Sequence, residues 1–277
     1  ILFTYYTHGL PTELCPSTGP AHGGTAVRIT AASGANGSDY RVSLRGANGT
    51  LVVPAAPTAI DEIEFTTPHF DAAGGYTVRT SLNAQQYSAP PGLALHVYLP
   101  PRVDSLAPRC GPVDGNTTVT VNGAHFLHGS HNLCDFGPLV TGDPYNATTM
   151  GCISPASVLG SRALEITLNG QQYTANAVQW LFTARSGISL IFPSSGVVYG
   201  GTMLTIHGYG LGGGCDPKCR FSELQIVNAS VGDGAHELFC RSPPGRHMLI
   251  STVEISLNAQ QYTHDGATYT FYEPYTI

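Results

Sequence analysis

Three copies of one short motif dominate this chain: Ser81 to Tyr87 reads SLNAQQY, Thr167 to Tyr173 reads TLNGQQY, and Ser256 to Tyr262 reads SLNAQQY, at spacings of 86 and 89 residues. A period of that length means three structural units in tandem, each with its own core. Two further anchors keep the same order inside each unit. GPAHGGTAVRI around Thr25, GPVDGNTTVTV around Thr117 and SGVVYGGTMLTI around Thr202 come first, and prolines at Pro68, Pro155 and Pro243 lie between these and the QQY segments.

Each anchor fits a β-sandwich. The glycines supply positive φ for a tight turn, and the residues that follow, Ala26–Ile29, Val119–Val121 and Met203–Ile206, alternate as half-buried strands do. Asn followed by Gly or Ala in the QQY motif marks a chain reversal. Alanine is strained in a type I′ turn, so Ala84 and Ala259 predict a longer or different turn at those places. The Gln and Tyr side chains are expected to hydrogen bond near a sheet edge with the ring packed inward. Abundant Gly (33) and Pro (20), and β-branched and aromatic residues in place of strong helix formers, agree with many short strands.

The combined pattern resembles the IPT/TIG domain, an immunoglobulin-like β-sandwich: GP or SG, then GGT and an alternating strand, a C-x-FG-like segment, C-x-SP, SLNGQQYT and a closing aromatic strand. The resemblance runs over about residues 7 to 272 in three copies and implies an all-β array of tandem sandwiches. Domains are expected at 7–98, 99–184 and 185–272. Residues 1–6 read as the last strand of a preceding repeat, and 273–277 as the start of a following one. Proline and scant spare length in Leu99 to Arg102 predict stiff joints and an extended array.

Among seven cysteines, Cys134 and Cys152 of the second repeat occupy the same places as Cys219 and Cys240 of the third, while the first repeat has Val42 and Phe65 there. Joint loss of both members is what a bonded pair predicts, so disulfides Cys134–Cys152 and Cys219–Cys240 are expected. Cys15, Cys110 and Cys215 remain as possible inter-domain or inter-subunit cysteines. Asn36, Asn48, Asn116, Asn146 and Asn228 are N-glycosylation sequons, and together with the cysteines they point to a secreted or cell-surface setting with covalent glycans.

Chemistry is sparse. His125, His128 and His131 lie beside Cys134, but the convergent ligand set of a zinc site is missing, and Asp61, Glu62 and Glu64 read as a solvated strand edge. No nucleophile elbow, zinc-protease helix or phosphate loop occurs, so no catalytic residue, metal or cofactor is expected. A net charge of −6 with one lysine, Lys218, argues against nucleic acid. The run Ile188 to Phe192 is too short to insert in a membrane.

Proteins with IPT/TIG repeats include plexin and hepatocyte-growth-factor-receptor ectodomains, fibrocystin-like and microbial or algal surface proteins, and Rel-type transcription factors. The first expectation is a structural glycoprotein whose repeats associate into a homo-oligomer or filament, coat or flagellar appendage. The alternative is a stalk or ligand-binding region of a receptor or adhesion ectodomain.

Overall fold

The computed structural model describes residues 10–31, 37–89, 91–222 and 225–274. No helix occurs among them. The first repeat contains β1 (Pro11–Cys15), β2 (Thr18–Pro20), β3 (Ala26–Ala31), β4 (Arg41–Gly46), β5 (Gly49–Pro54), β6 (Ala56–Ala59), β7 (Glu62–Thr66), β8 (Gly74–Ser81) and β9 (Leu93–Tyr98). The second contains β10 (Arg102–Ala107), β11 (Cys110–Pro112), β12 (Thr118–Ala124), β13 (Leu133–Asp135), β14 (Leu139–Pro144), β15 (Thr149–Ile153), β16 (Gly160–Thr167) and β17 (Val178–Thr183). The third contains β18 (Gly187–Phe192), β19 (Ser195–Val197), β20 (Met203–Tyr209), β21 (Lys218–Phe221), β22 (Gln225–Val231), β23 (Glu237–Arg241), β24 (Ile250–Ser256) and β25 (Thr268–Tyr272).

The topology repeats. In the second unit one sheet runs β10-β12-β15 and the other β13-β16-β17-β11, and the third unit copies this order. One strand belongs to both sheets: Leu139–Thr141 of β14 pairs with β13, whereas Gly142–Pro144 pairs with β15. In the first repeat that crossing strand is split at Ala55 into β5, on β4, and β6, on β7. A parallel pair closes each unit: β2 on β9, β11 on β17 and β19 on β25.

The anchors explain one another. An added Cβ on Gly23, Gly115 or Gly200 would fall 2.3–2.6 Å from the backbone of Pro68, Pro155 or Pro243, and all three glycines have φ between 76° and 80°. The turn before each GGT-type strand therefore packs on the proline-marked end of β7, β15 or β23, at a distance only a residue without a side chain permits.

Each sandwich has its own core. Aromatic rings fill two of them: Phe136, Trp180 and Phe182 in the second and Phe221, Tyr269 and Phe271 in the third, edge to face with centroids 5.0–6.4 Å apart. Glycines Gly111 and Gly196 make room for the largest rings, since a Cβ there would collide with Trp180 and Tyr269. Tyr98, the last residue of β9, is buried in the second repeat's core, so the first joint is packed as well as tethered.

Cys134 and Cys152 are bonded across the wedge where β14 changes sheets, and Cys219 and Cys240 are bonded at the same place beside β22. Gly142 leaves the space for the first bond: a Cβ there would sit 3.0 Å from Cys134 Sγ. The first repeat fills the wedge with Val42 and Phe65, both buried. Asp61, Glu62 and Glu64 do not form a sheet edge as expected. They sit on or beside β7, which lies between β3 and β6, and Glu62 pairs with Arg28 at 3.6 Å.

Candidate functional site: the repeat joints

The QQY loops begin with an Asn that organises its own turn. Asn83, Asn169 and Asn258 each accept through Oδ1 from the amides of the two glutamines that follow, at 3.1–3.2 Å. The middle residue is left-handed in all three, with φ 60° at Ala84, 76° at Gly170 and 61° at Ala259. Only that one residue is left-handed, so the turn is not type I′ and differs from it as expected, and the two captured amides offset the alanine's strain of about 1–2 kcal/mol. The tyrosines depart from expectation. Tyr173 is 38% exposed, and Tyr262 lies under the Arg220 guanidinium, 4.1 Å from its centroid, instead of entering the core.

With their backbones fixed, the glutamines of one repeat reach into the repeat before it. Gln171 accepts from Ala26 N at 2.9 Å and donates to Ala26 O at 2.8 Å. Gln172 accepts from Thr25 Oγ1 at 2.9 Å and donates to Gly24 O at 3.0 Å. Asn169 Nδ2 donates to the same Thr25 hydroxyl at 3.1 Å. The second joint repeats this bond for bond. Gln260 accepts from Thr118 N at 2.9 Å and donates to Thr118 O at 2.8 Å, and Gln261 accepts from Thr117 Oγ1 at 3.0 Å and donates to Asn116 O at 2.8 Å. Asn258 donates to Thr117 Oγ1 at 3.2 Å.

The strand accounts for this. Ala26 and Thr118 are the first residues of β3 and β12, and β1 and β10 end before reaching them, so one side of their backbone has no strand partner. A side-chain amide carries a donor and an acceptor at the spacing of a peptide group and serves as a one-residue strand. Each bond contributes about 1 kcal/mol net, and covalent tethering makes the five of them act together.

A second contact flanks each clamp. Thr18 Oγ1 lies 2.9 Å from Ser130 Oγ at the first joint. At the same two positions of the second joint stand Cys110 and Cys215, bonded to each other with Cα atoms 5.8 Å apart. Of the three leftover cysteines, two thus bridge neighbouring repeats, and Cys15 is an exposed free thiol. The His96 and His128 rings meet across the first joint with centroids 4.4 Å apart; burial, then the nearby His128, pushes the His96 pKa below its usual value. His125 bonds Pro100 O at 3.0 Å within the linker. Among the described residues no group of His, Cys, Asp or Glu is placed to hold a metal.

Asn48, Asn116, Asn146 and Asn228 are exposed, and Asn36 lies outside the described residues, as do 1–6. Asn116 stands at the rim of the second joint, its carbonyl held by Gln261.

These features define a modular array of immunoglobulin-like sandwiches with a stereotyped joint. A family model for the IPT/TIG domain matches residues 101–180 and 187–271, and the chain belongs to that family. It is 28% identical to human Plexin-B3 over 71% of its own length and 10% of the relative's, and 27% identical to mouse Plexin-B2 over 72% and 11%. It therefore spans about a tenth of those relatives. A solved structure of the full extracellular region of Plexin A4 aligns with 95% of this chain and 24% of that one, at TM-score 0.50 and 17% identity.

Proposed function

We propose that this chain is part of the ectodomain of a cell-surface receptor, where it serves as a non-catalytic spacer that sets the position of whatever binding surfaces adjoin it. The duplicated joint carries the reading: five side-chain hydrogen bonds at each joint, with a buried tyrosine at the first and a disulfide at the second, fix the orientation of one repeat on the next. A fixed orientation is what a stalk needs in order to transmit position. Three disulfides and exposed sequons suit an oxidising, glycosylating compartment. Plexin relatives support the receptor over the filament, coat or appendage. Glycans on Asn48, Asn116, Asn146 and Asn228 belong to this reading.

The test uses an antibody raised against the purified chain on intact cells that make the protein. Surface staining that follows the detergent-extracted membrane fraction is the expected result. Material that instead sediments without detergent as regular filaments in electron micrographs would overturn the receptor reading and restore the filament.

A further inference from the structure

The two filled joints show what a socket consists of: a carbonyl, a threonine hydroxyl and the free backbone edge of the next residue. Gly24, Thr25 and Ala26 form one, and Asn116, Thr117 and Thr118 form the other. The third repeat has the same set in Gly201, Thr202 and Met203. Its turn is built identically, with Gly201 N on Ser242 O and Thr202 N on Ser242 Oγ. Strand β18 last pairs at Thr205, so the side of Met203 turned away from β23 has no strand partner. Arg241 takes one lone pair of Gly201 O and leaves the other. His22 and Asp114, which border the clefts at the filled joints, correspond here to Tyr199, 76% exposed, and Met203 itself is 47% exposed. Ser195 stands where Thr18 and Cys110 make the flanking contact.

We propose that Gly201, Thr202, Met203 and Ser195 form a docking site for the Asn-X-Gln-Gln loop of a further IPT/TIG repeat on the same polypeptide. The occupant follows from continuity: both sockets of this composition that have a neighbour hold that loop, and an apolar partner would pair neither the amide nor the carbonyl of Met203 while a carboxylate or a cationic side chain would pair only one of them. The inference stands apart from the receptor reading, because a filament subunit would carry the same socket.

The test is an extended chain in which a second copy of residues 184–272 follows Tyr272. Thr183 and Tyr272 both end the closing strand, so the linker length is that of the second joint. The third repeat's core consists of its own residues, so the copy is self-contained. Hydrogen exchange is expected to show the Met203 amide slowed by about tenfold or more in the extended chain, and restored to its original rate when the appended copy's two glutamines are alanine. In a second version Ser195→Cys is introduced with the appended copy's unpaired cysteine retained, and non-reducing peptide mapping is expected to find the two bonded. A Met203 amide equally fast in both chains, or two free thiols, would overturn the proposal. Met203 protection that grows with concentration in the unextended chain would also overturn it, by making the occupant a second copy.

Discussion

Single residues decide how each repeat closes. The wedge between sheets is bridged by Cys134–Cys152 and Cys219–Cys240 but plugged by Val42 and Phe65 in the first repeat. Loops of this length contribute roughly 3 kcal/mol by restricting the unfolded chain. Reduction is therefore expected to lower the unfolding temperature of the second and third repeats and leave the first unchanged, as followed by hydrogen exchange resolved by repeat. His96 gives a pH dependence of known sign. Its pKa is lowered at the joint, so the unmade joint binds the proton more readily, and the joint's stability is full above about pH 6.5 and is lost as pH falls through the lowered value. An NMR titration should show the His96 pKa rising toward the usual value in His128→Gln. An unchanged pKa would mean that burial alone sets it.

At the scale of elements, the recurring anchors that act within their own repeat were legible in the sequence, whereas the acidic residues at β7 and the ring of Tyr262 were not. The strands, the glycine turn, the proline anchor and the equivalent cysteine pairs all recur in register, because each copy has to solve the same local packing problem. The joint was not legible, for the same reason. Gln171 and Gln172 bond to residues 145–148 positions earlier, and a motif's periodicity reports that it is needed without reporting where it points. An inter-domain role was among the expectations for Cys15, Cys110 and Cys215, but which two of them pair was hidden in the same way, since Cys110 and Cys215 sit in different repeats. One signal was available: Thr18 and Cys110 share a place in the motif, as do Ser130 and Cys215. The clamps themselves are testable. Replacing Gln171 and Gln172 by alanine should free the Ala26 amide to exchange and broaden the distribution of the first joint's angle in small-angle scattering. Replacing Gln260 and Gln261 should free the Thr118 amide but leave the angle unchanged until Cys110–Cys215 is reduced.

For the whole molecule, the two joints differ in what holds them after the clamp opens. The first has the buried Tyr98 and a hydroxyl pair, Thr18 with Ser130, worth about 1 kcal/mol, and the second has a covalent bond. Force applied to the array would therefore act unequally, bending it first between repeats one and two, whereas reduction would loosen the second joint and leave the first as it is. Because the four positions are equivalent, the difference is exchangeable. The double substitution Thr18→Cys, Ser130→Cys is expected to form a disulfide without added oxidant in the secretory pathway, since the same backbone frame already holds Cys110 and Cys215 at a Cα separation of 5.8 Å, within the ordinary range. Non-reducing peptide mapping checks the bond. Small-angle scattering of that variant should then match a single inter-repeat geometry even with Gln171 and Gln172 replaced. If the cysteines pair and the angle still spreads, the clamp rather than the flanking contact sets the orientation, and the array's stiffness resides in its glutamines.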